Sequence, residues 1–411
     1  MTLYARTLRG RLATAAAASA LALGLPALAV AQEQVRIGAT FGLTGGLAPY
    51  SPSLVDAARM LVEEVNGNGG ILDGRELSLT ILDDQTNPQA AVDAAQRLVM
   101  VENVAAMLGP FGSAQVMAVA NAVTVPNSIL QIAPTATTPA LTDLEDDDFV
   151  FRVVVSDAYL GQALAEVALE RGHSEVALLY AGNDYGVGLA NTFRAAFTEG
   201  GGTLTGDLRF EPQRASYRGE LASIAAGSDT LVMIGYPADG GNTILRQALE
   251  NGFFSDFILT DGMRDASVIA EIGADFLEGS WGMAPEAPPE TEAAQRFTAA
   301  YEAFSEHPTD SLFIKQTYDA AMLLALAIEK AGSTDRVAIR DALRAVSNPP
   351  GEQILPGEWA RARELIAAGQ DIDFFGASGP HDFDENGDVA GTIGVFEVRD
   401  GAFVTIEVRE P

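Results

Sequence analysis

Hydrophobic and polar positions follow two periods along this chain, and the two trade places repeatedly. Residues 35–41 (VRIGATF) are dense in apolar and β-favouring side chains and predict a strand. From Leu54 to Val65 apolar residues recur at 54, 55, 58, 61, 62 and 65, which places them on one helical face. GNGGILDGR then breaks the pattern, and ELSLTILDD (76–84) alternates as a second strand. Asn87 offers an oxygen to the free amides of a helix start and Pro88 suits its first position, so a helix is predicted to about Val101. VAAMLG (104–109) is the next strand. VPNSIL (125–130) reads as another, and it runs into QIAPTATTPALT (131–142).

The alternation then starts again. FVFRVVV (149–155) leads to a helix through Leu169, EVALLY (175–180) to one near 187–199, and TLTGDLRF (203–210) to one near 216–226. DTLVMIG (229–235) precedes a helix from Asn242 to Asn251, and DFILTD (256–261) follows. After GSWGMAP (279–285) the pattern is helical from Glu290 to Val346. The chain ends in short strands around DFDENGDVAG (382–391) and a hairpin over GVFEVRDGAFVTIEV (394–408). Strands alternating with helices through short connections mean βαβ units on parallel sheets. Two successive runs of them mean an α/β protein of two similar lobes.

Composition adds where such a chain works. Arg6, Arg9 and Arg11 precede an Ala/Leu-rich run from Leu12 to Leu25 and small residues at Ala29 and Ala31, the layout of a cleavable export signal. Cleavage before Gln32 would leave 380 residues in the periplasm. The most apolar later run, AAMLLALAI (320–328), lies between Asp319 and Glu329 and falls far short of the roughly 20 residues that span a bilayer. Cysteine is absent, so the fold must be held by its core alone. A formal net charge of −31 argues against nucleic acid and anionic lipid as partners. Its simplest use is to keep an exported protein soluble.

In parallel sheets, ligands sit beyond the carboxyl ends of the strands. The residues just after each predicted strand share a character: PFGSAQ, PTATT, NDYG, YPADGG and DGM. They supply small residues, the hydroxyls of Ser113, Thr135 and Thr137, two tyrosines (Tyr185, Tyr236) and one acid, Asp261. Helix-start amides favour an anion, and a lone carboxylate favours a cation. Together they suit a small zwitterion, of which an α-amino acid is the simplest.

Enzyme motifs are missing. His173, His307 and His381 stand far apart without ligand spacing, and no nucleophile elbow, Walker A or G-x-G-x-x-G run occurs. No catalysis, cofactor or metal is expected. Asp382, Asp384, Asn386, Gly387 and Asp388 match the first half of a calcium loop, but Ile393 stands where the bidentate Glu belongs. Asn386-Gly387 is therefore expected to be a hairpin turn.

The order and spacing of these segments resemble the branched-chain amino-acid-binding family of ABC-importer solute-binding proteins. The resemblance covers essentially the whole mature chain, and its most specific parts are 35–99, GPFGSAQ, IAPTATTPALT, NDYGVGLA and the terminal GASGPHDFDENGDVAG…VFEV. It implies the type I periplasmic binding fold: two Rossmann-like lobes joined by three crossings that act as hinges. The crossings fall near Arg152, Trp281 and Phe375. One lobe is then 32–152 with 282–375, the other 153–281 with 376–411. It further implies a monomer that hands its ligand to an inner-membrane permease.

The family's carboxylate-binding serine falls on Ser113. Its small-small-Thr run falls on Thr135, Ala136 and Thr137, its pocket tyrosines on Tyr185 and Tyr236, its ammonium-pairing acid on Asp261 and an aromatic wall on Tyr50. Relatives with branched-chain ligands commonly carry Glu at the Asp261 position, and Tyr50 and Phe111 make this pocket more aromatic. Amides, urea, aromatic acids and a sensing role for a kinase or chemoreceptor stay open at this point.

Overall fold

Five parallel strands build the first sheet. β1 (Val35–Phe41) is followed by α1 (Ser51–Gly67), β2 (Leu77–Asp83), α2 (Pro88–Met100), β3 (Ala106–Leu108), α3 (Ser113–Val119), β4 (Leu130–Ala133) and β5 (Val150–Arg152). The computed structural model describes residues 34–288 and 290–410, so the expected export signal lies outside the described residues. α1 buries Leu54, Val55, Ala58, Leu61 and Val65, the face given by their spacing. α2 starts as expected, with the Asn87 side chain accepting from the amides of Gln89 and Ala90.

The second run repeats the arrangement. It comprises α4 (Asp157–Glu170), β6 (Glu175–Ala181), α5 (Asp184–Glu199), β7 (Thr203–Phe210), α6 (Arg218–Ile224), β8 (Thr230–Ile234), α7 (Asn242–Glu250), β9 (Asp256–Thr260), α8 (Ala266–Ile272), α9 (Ala274–Leu277) and β10 (Trp281–Glu286). α10 (Glu292–Phe304), α11 (Ile314–Ala331), α12 (Arg336–Ser347), β11 (Glu352–Ile354), α13 (Trp359–Ala367), β12 (Ile372–Gly376) and β13 (Gly379–Pro380) return to the first lobe, where α11 packs on α1 and α12. β14 (Thr392–Arg399) and β15 (Ala402–Arg409) form an antiparallel hairpin that extends the second sheet beside β10. No helix among the described residues is long and apolar enough to cross a membrane.

The first sheet runs β2-β1-β3-β4-β5 and the parallel part of the second runs β7-β6-β8-β9-β10, the same order twice. Strand order reverses between β1 and β3 and again between β6 and β8. Crevices open beyond the carboxyl ends of the strands at such points, which puts the ligand site where the two sets of strand ends meet.

Local details depart from the sequence pattern. Val125–Asn127 is a 3-10 turn and Ser128 is left-handed at φ 53°, so β4 opens only at Leu130. Pro126 has no amide to give a strand ladder. FVFRVVV contributes only β5, which pairs with β4 and closes the first sheet rather than opening the second. β10 pairs with β9 and β14 as far as Glu286, so the crossing expected near Trp281 lies beyond that residue. β12 pairs with β13 up to Pro380, which moves the last crossing from Phe375 into residues 381–391. Asn386-Gly387 does turn, yet it joins no hairpin: Asp384 accepts from the amides of Asn386 and Asp388 and closes the loop on itself.

Candidate functional site

The loops at the carboxyl ends of the two sheets meet, and Asp261 lies on that line. It follows β9 directly and is buried in a short 3-10 turn. Just after β6, two strands across the sheet from β9, Asn183 caps α5 through the Gly186 amide and sets Tyr185 in the first turn. The Tyr185 hydroxyl donates to Asp261 Oδ1 at 2.7 Å, lies 2.8 Å from Thr260 Oγ1 and accepts from the Gly262 amide at 3.2 Å. Tyr236, just after β8, stacks on Tyr185 with ring centroids 5.2 Å apart. A Cβ at position 262 would stand 2.5 Å from the Gly235 carbonyl oxygen, so this close approach of strand ends requires Gly262.

The first lobe supplies the opposite wall. Tyr50, the residue before α1, donates from its hydroxyl to the Gly262 carbonyl at 3.1 Å and so bonds one lobe to the other at the cavity. Phe111 stacks on Phe41 at 3.9 Å, and the Thr135 hydroxyl donates to the Phe111 carbonyl. Leu47, Leu54 and Phe313 complete the apolar side of a cavity that Tyr50, Phe111, Thr135, Tyr185, Tyr236, Asp261 and Gly262 also line. Two wider hollows flank residues 308–313, but of the expected site residues they hold only Tyr50.

Tyr50→Phe removes the interlobe bond and little else. Ligand affinity is expected to fall by about 0.5–1.5 kcal/mol, the net worth of one hydrogen bond. Calorimetry on the variant checks it, with the melting temperature of the ligand-free protein as control.

Five of the eight expected residues therefore border the cavity: Tyr50, Thr135, Tyr185, Tyr236 and Asp261. Ser113, Ala136 and Thr137 sit one layer behind. Ser113, the first residue of α3, accepts from the Thr138 amide at 3.3 Å. Ala136 is packed with Val116 and Ala133. Thr137 donates to Asp157 Oδ2 at 2.7 Å.

Asp157 is the residue that strand-end inspection misses. Ser156 caps α4 and places Asp157 in its first turn, fully buried. Its second oxygen, Oδ1, has no hydrogen-bond partner. Burial raises its pKa well above the usual carboxylate range and the charge of Asp261 raises it further, against the pull of Thr137 and Arg152. Asp261 is itself pushed up to about 6 by burial, opposed by the Tyr185 hydroxyl and the Gly262 amide. The signal in the sequence is VSDAYL, an acid at a helix start just past a strand. It stays hidden while FVFRVVV reads as the first strand of the second sheet. Phe313, left-handed at φ 67°, is marked by nothing around it in the sequence.

Two buried carboxylates, both raised by burial and one of them raised further by the other, with neutral hydrogen-bond partners and aromatic walls, favour a ligand that brings a positive charge. Hydroxyls and close-approach backbone in PTATT can take the ligand's other end.

Comparison with known proteins fits this geometry. A family profile described as "Periplasmic binding protein" matches residues 34–400. The leucine-, isoleucine-, valine-, threonine- and alanine-binding protein of Pseudomonas aeruginosa is 27% identical over 343 residues, covering 82% of this chain and 88% of that protein. The crystal structure of a leucine binding protein from Thermotoga maritima superposes with a TM-score of 0.78 at 27% identity, over 92% of this chain and 99% of the other. A solute binding protein from R. palustris in complex with benzoate gives 0.76 at 19% identity, over 92% and 97% of the two chains, and speaks for the fold alone.

Proposed function

This chain belongs to the periplasmic binding protein family, and from that premise we propose that it is the substrate-binding component of an ABC importer, with a small amino acid as ligand. The family is one of binding proteins and not of enzymes. The observation that carries the ligand class is the pair of buried acids, Asp157 and Asp261, one of them with an unpartnered oxygen.

The ligand's ammonium sits against Asp261, with Asp157 Oδ1 and Thr137 in the layer behind it. Its carboxylate lies towards Ser113 and the Thr135–Thr137 segment, where Ala136 lets the backbone approach. Tyr50, Leu47, Leu54, Phe111 and Phe313 surround an aliphatic side chain, and the stacked Tyr185 and Tyr236 hold the Asp261 end. Because contacts come from both lobes, only a molecule that satisfies both stabilises the closed form, and that closed form is what a permease in the inner membrane receives. A benzoate, as in the R. palustris protein, carries no cation and would leave both acids unpaired, which argues for an amino acid here.

A thermal-shift screen over amino acids, aromatic acids, amides and urea tests the reading. An amino acid at about 100 times its Kd adds roughly 2.7 kcal/mol to apparent stability. A rise with benzoate and none with aliphatic amino acids would overturn the ligand class.

A further inference from the structure

Arg152 ends β5 on the first crossing and is 1% exposed. Its guanidinium is fully spent. Nε and Nη2 fork onto the two oxygens of Asp388 at 2.7 and 2.8 Å, and Nη2 also donates to the Thr142 hydroxyl at 2.8 Å. Nη1 donates to the carbonyls of Thr137 and Thr138 at 3.0 and 2.8 Å. Asp388 stands on the last crossing, 236 residues further on. The Arg152 amide donates to the Gly387 carbonyl at 3.0 Å, where a Cβ would lie 2.6 Å from the Val150 carbonyl oxygen. Gly387, at φ 74°, lets the two crossings touch.

The same knot reaches the ligand site. The Thr137 carbonyl accepts from the Asp157 amide at 2.8 Å as well as from Arg152, while the Thr137 hydroxyl holds the Asp157 carboxylate. One guanidinium thus holds the first crossing, the last crossing and the threonine loop together. Neither Arg152 nor Asp388 lines the cavity.

We propose that Arg152, paired with Asp388, is a positioning residue for the ligand site: it fixes the Thr137–Asp157 contact and sets the charge that Asp157 feels. The inference rests on reading Asp157 as an ammonium-facing carboxylate. The charged and titratable groups that act on Asp157 are Arg152 and Asp261, with Tyr185 and Tyr236 beside them. Asp388 partly neutralises Arg152, so removing either partner changes the field at Asp157, in opposite directions.

The test is an NMR titration of the Asp157 side-chain carboxyl carbon in ligand-free protein, followed by L-leucine calorimetry, for wild type, Asp388→Asn, Arg152→Met and Arg152→Lys. Asp388→Asn is expected to lower the Asp157 midpoint by about half a pH unit or more, and Arg152→Met to raise it by a similar amount. Loosened packing alone does not produce opposite shifts. Arg152→Lys keeps the charge but not the fork, so its midpoint stays near wild type while leucine binding weakens about tenfold. An unchanged midpoint in Asp388→Asn overturns the proposal. Should Arg152→Met not fold, Asp388→Asn still decides, since that side chain is 16% exposed. Wild-type protein that ignores leucine while the midpoints shift would sink the amino-acid reading and leave the positioning role standing.

Discussion

Asp261→Ala is expected to weaken binding of the amino-acid ligand by about 2–5 kcal/mol, the usual cost of truncating one partner of a buried, hydrogen-bonded charge pair. Much of that cost is the ligand ammonium left without its counter-charge in a closed cavity. Asp157 remains, so the loss is partial. Asp261→Asn separates charge from shape, because an amide oxygen can still accept from Tyr185. The same substitution should raise the stability of the ligand-free protein at neutral pH. Ionised Asp261, moved from an ordinary 3.8 to about 6, costs the empty site about 3 kcal/mol. A variant that melts higher but binds worse is the signature of a site kept strained for its ligand. Wild-type affinity in Asp261→Asn would remove that residue from the site.

Ligand affinity is expected to fall with acidity below about pH 6, where Asp261 takes up its proton. The sign follows from which state holds protons. Between an ordinary carboxylate value and about 6, the ligand-free fold binds a proton that the unfolded chain and the liganded form release. Stability of the empty protein therefore declines as pH rises through that window and levels off above it. Affinity moves the other way, rising and then levelling, by about tenfold per pH unit for one proton. Asp157, raised by burial and by the charge of Asp261, acts in the same direction. Calorimetry at pH 5 and pH 7 in two buffers of different ionisation heat reads both the affinity and the proton released. Affinity is the better readout, because buried Asp84, also pushed up to about 7, titrates in the same range without lining the cavity. Flat affinity from pH 5 to 7 would show that no carboxylate proton is displaced by the ligand.

The sequence by itself determined the two α/β runs, the helix start at Asn87 and most of the strand-end residues near the cavity. Those are local facts: apolar spacing sets which face is buried, and a side chain just past a strand sits at the sheet's carboxyl edge whatever the neighbours are. Tyr185, Tyr236 and Asp261 were legible for that reason, and the family resemblance added Tyr50. Tertiary structure alone decided which sheet a three-residue strand joins. β5 pairs with β4, and that pairing turns Asp157 from an ordinary helix-start acid into the partner of Thr137 and the electrostatic neighbour of Asp261. It also set Ser113 and Thr137 behind the cavity wall, and it brought Asp388 to Arg152 across 236 residues. No local period encodes such pairs, because they are fixed by strand order and by where the chain crosses between lobes.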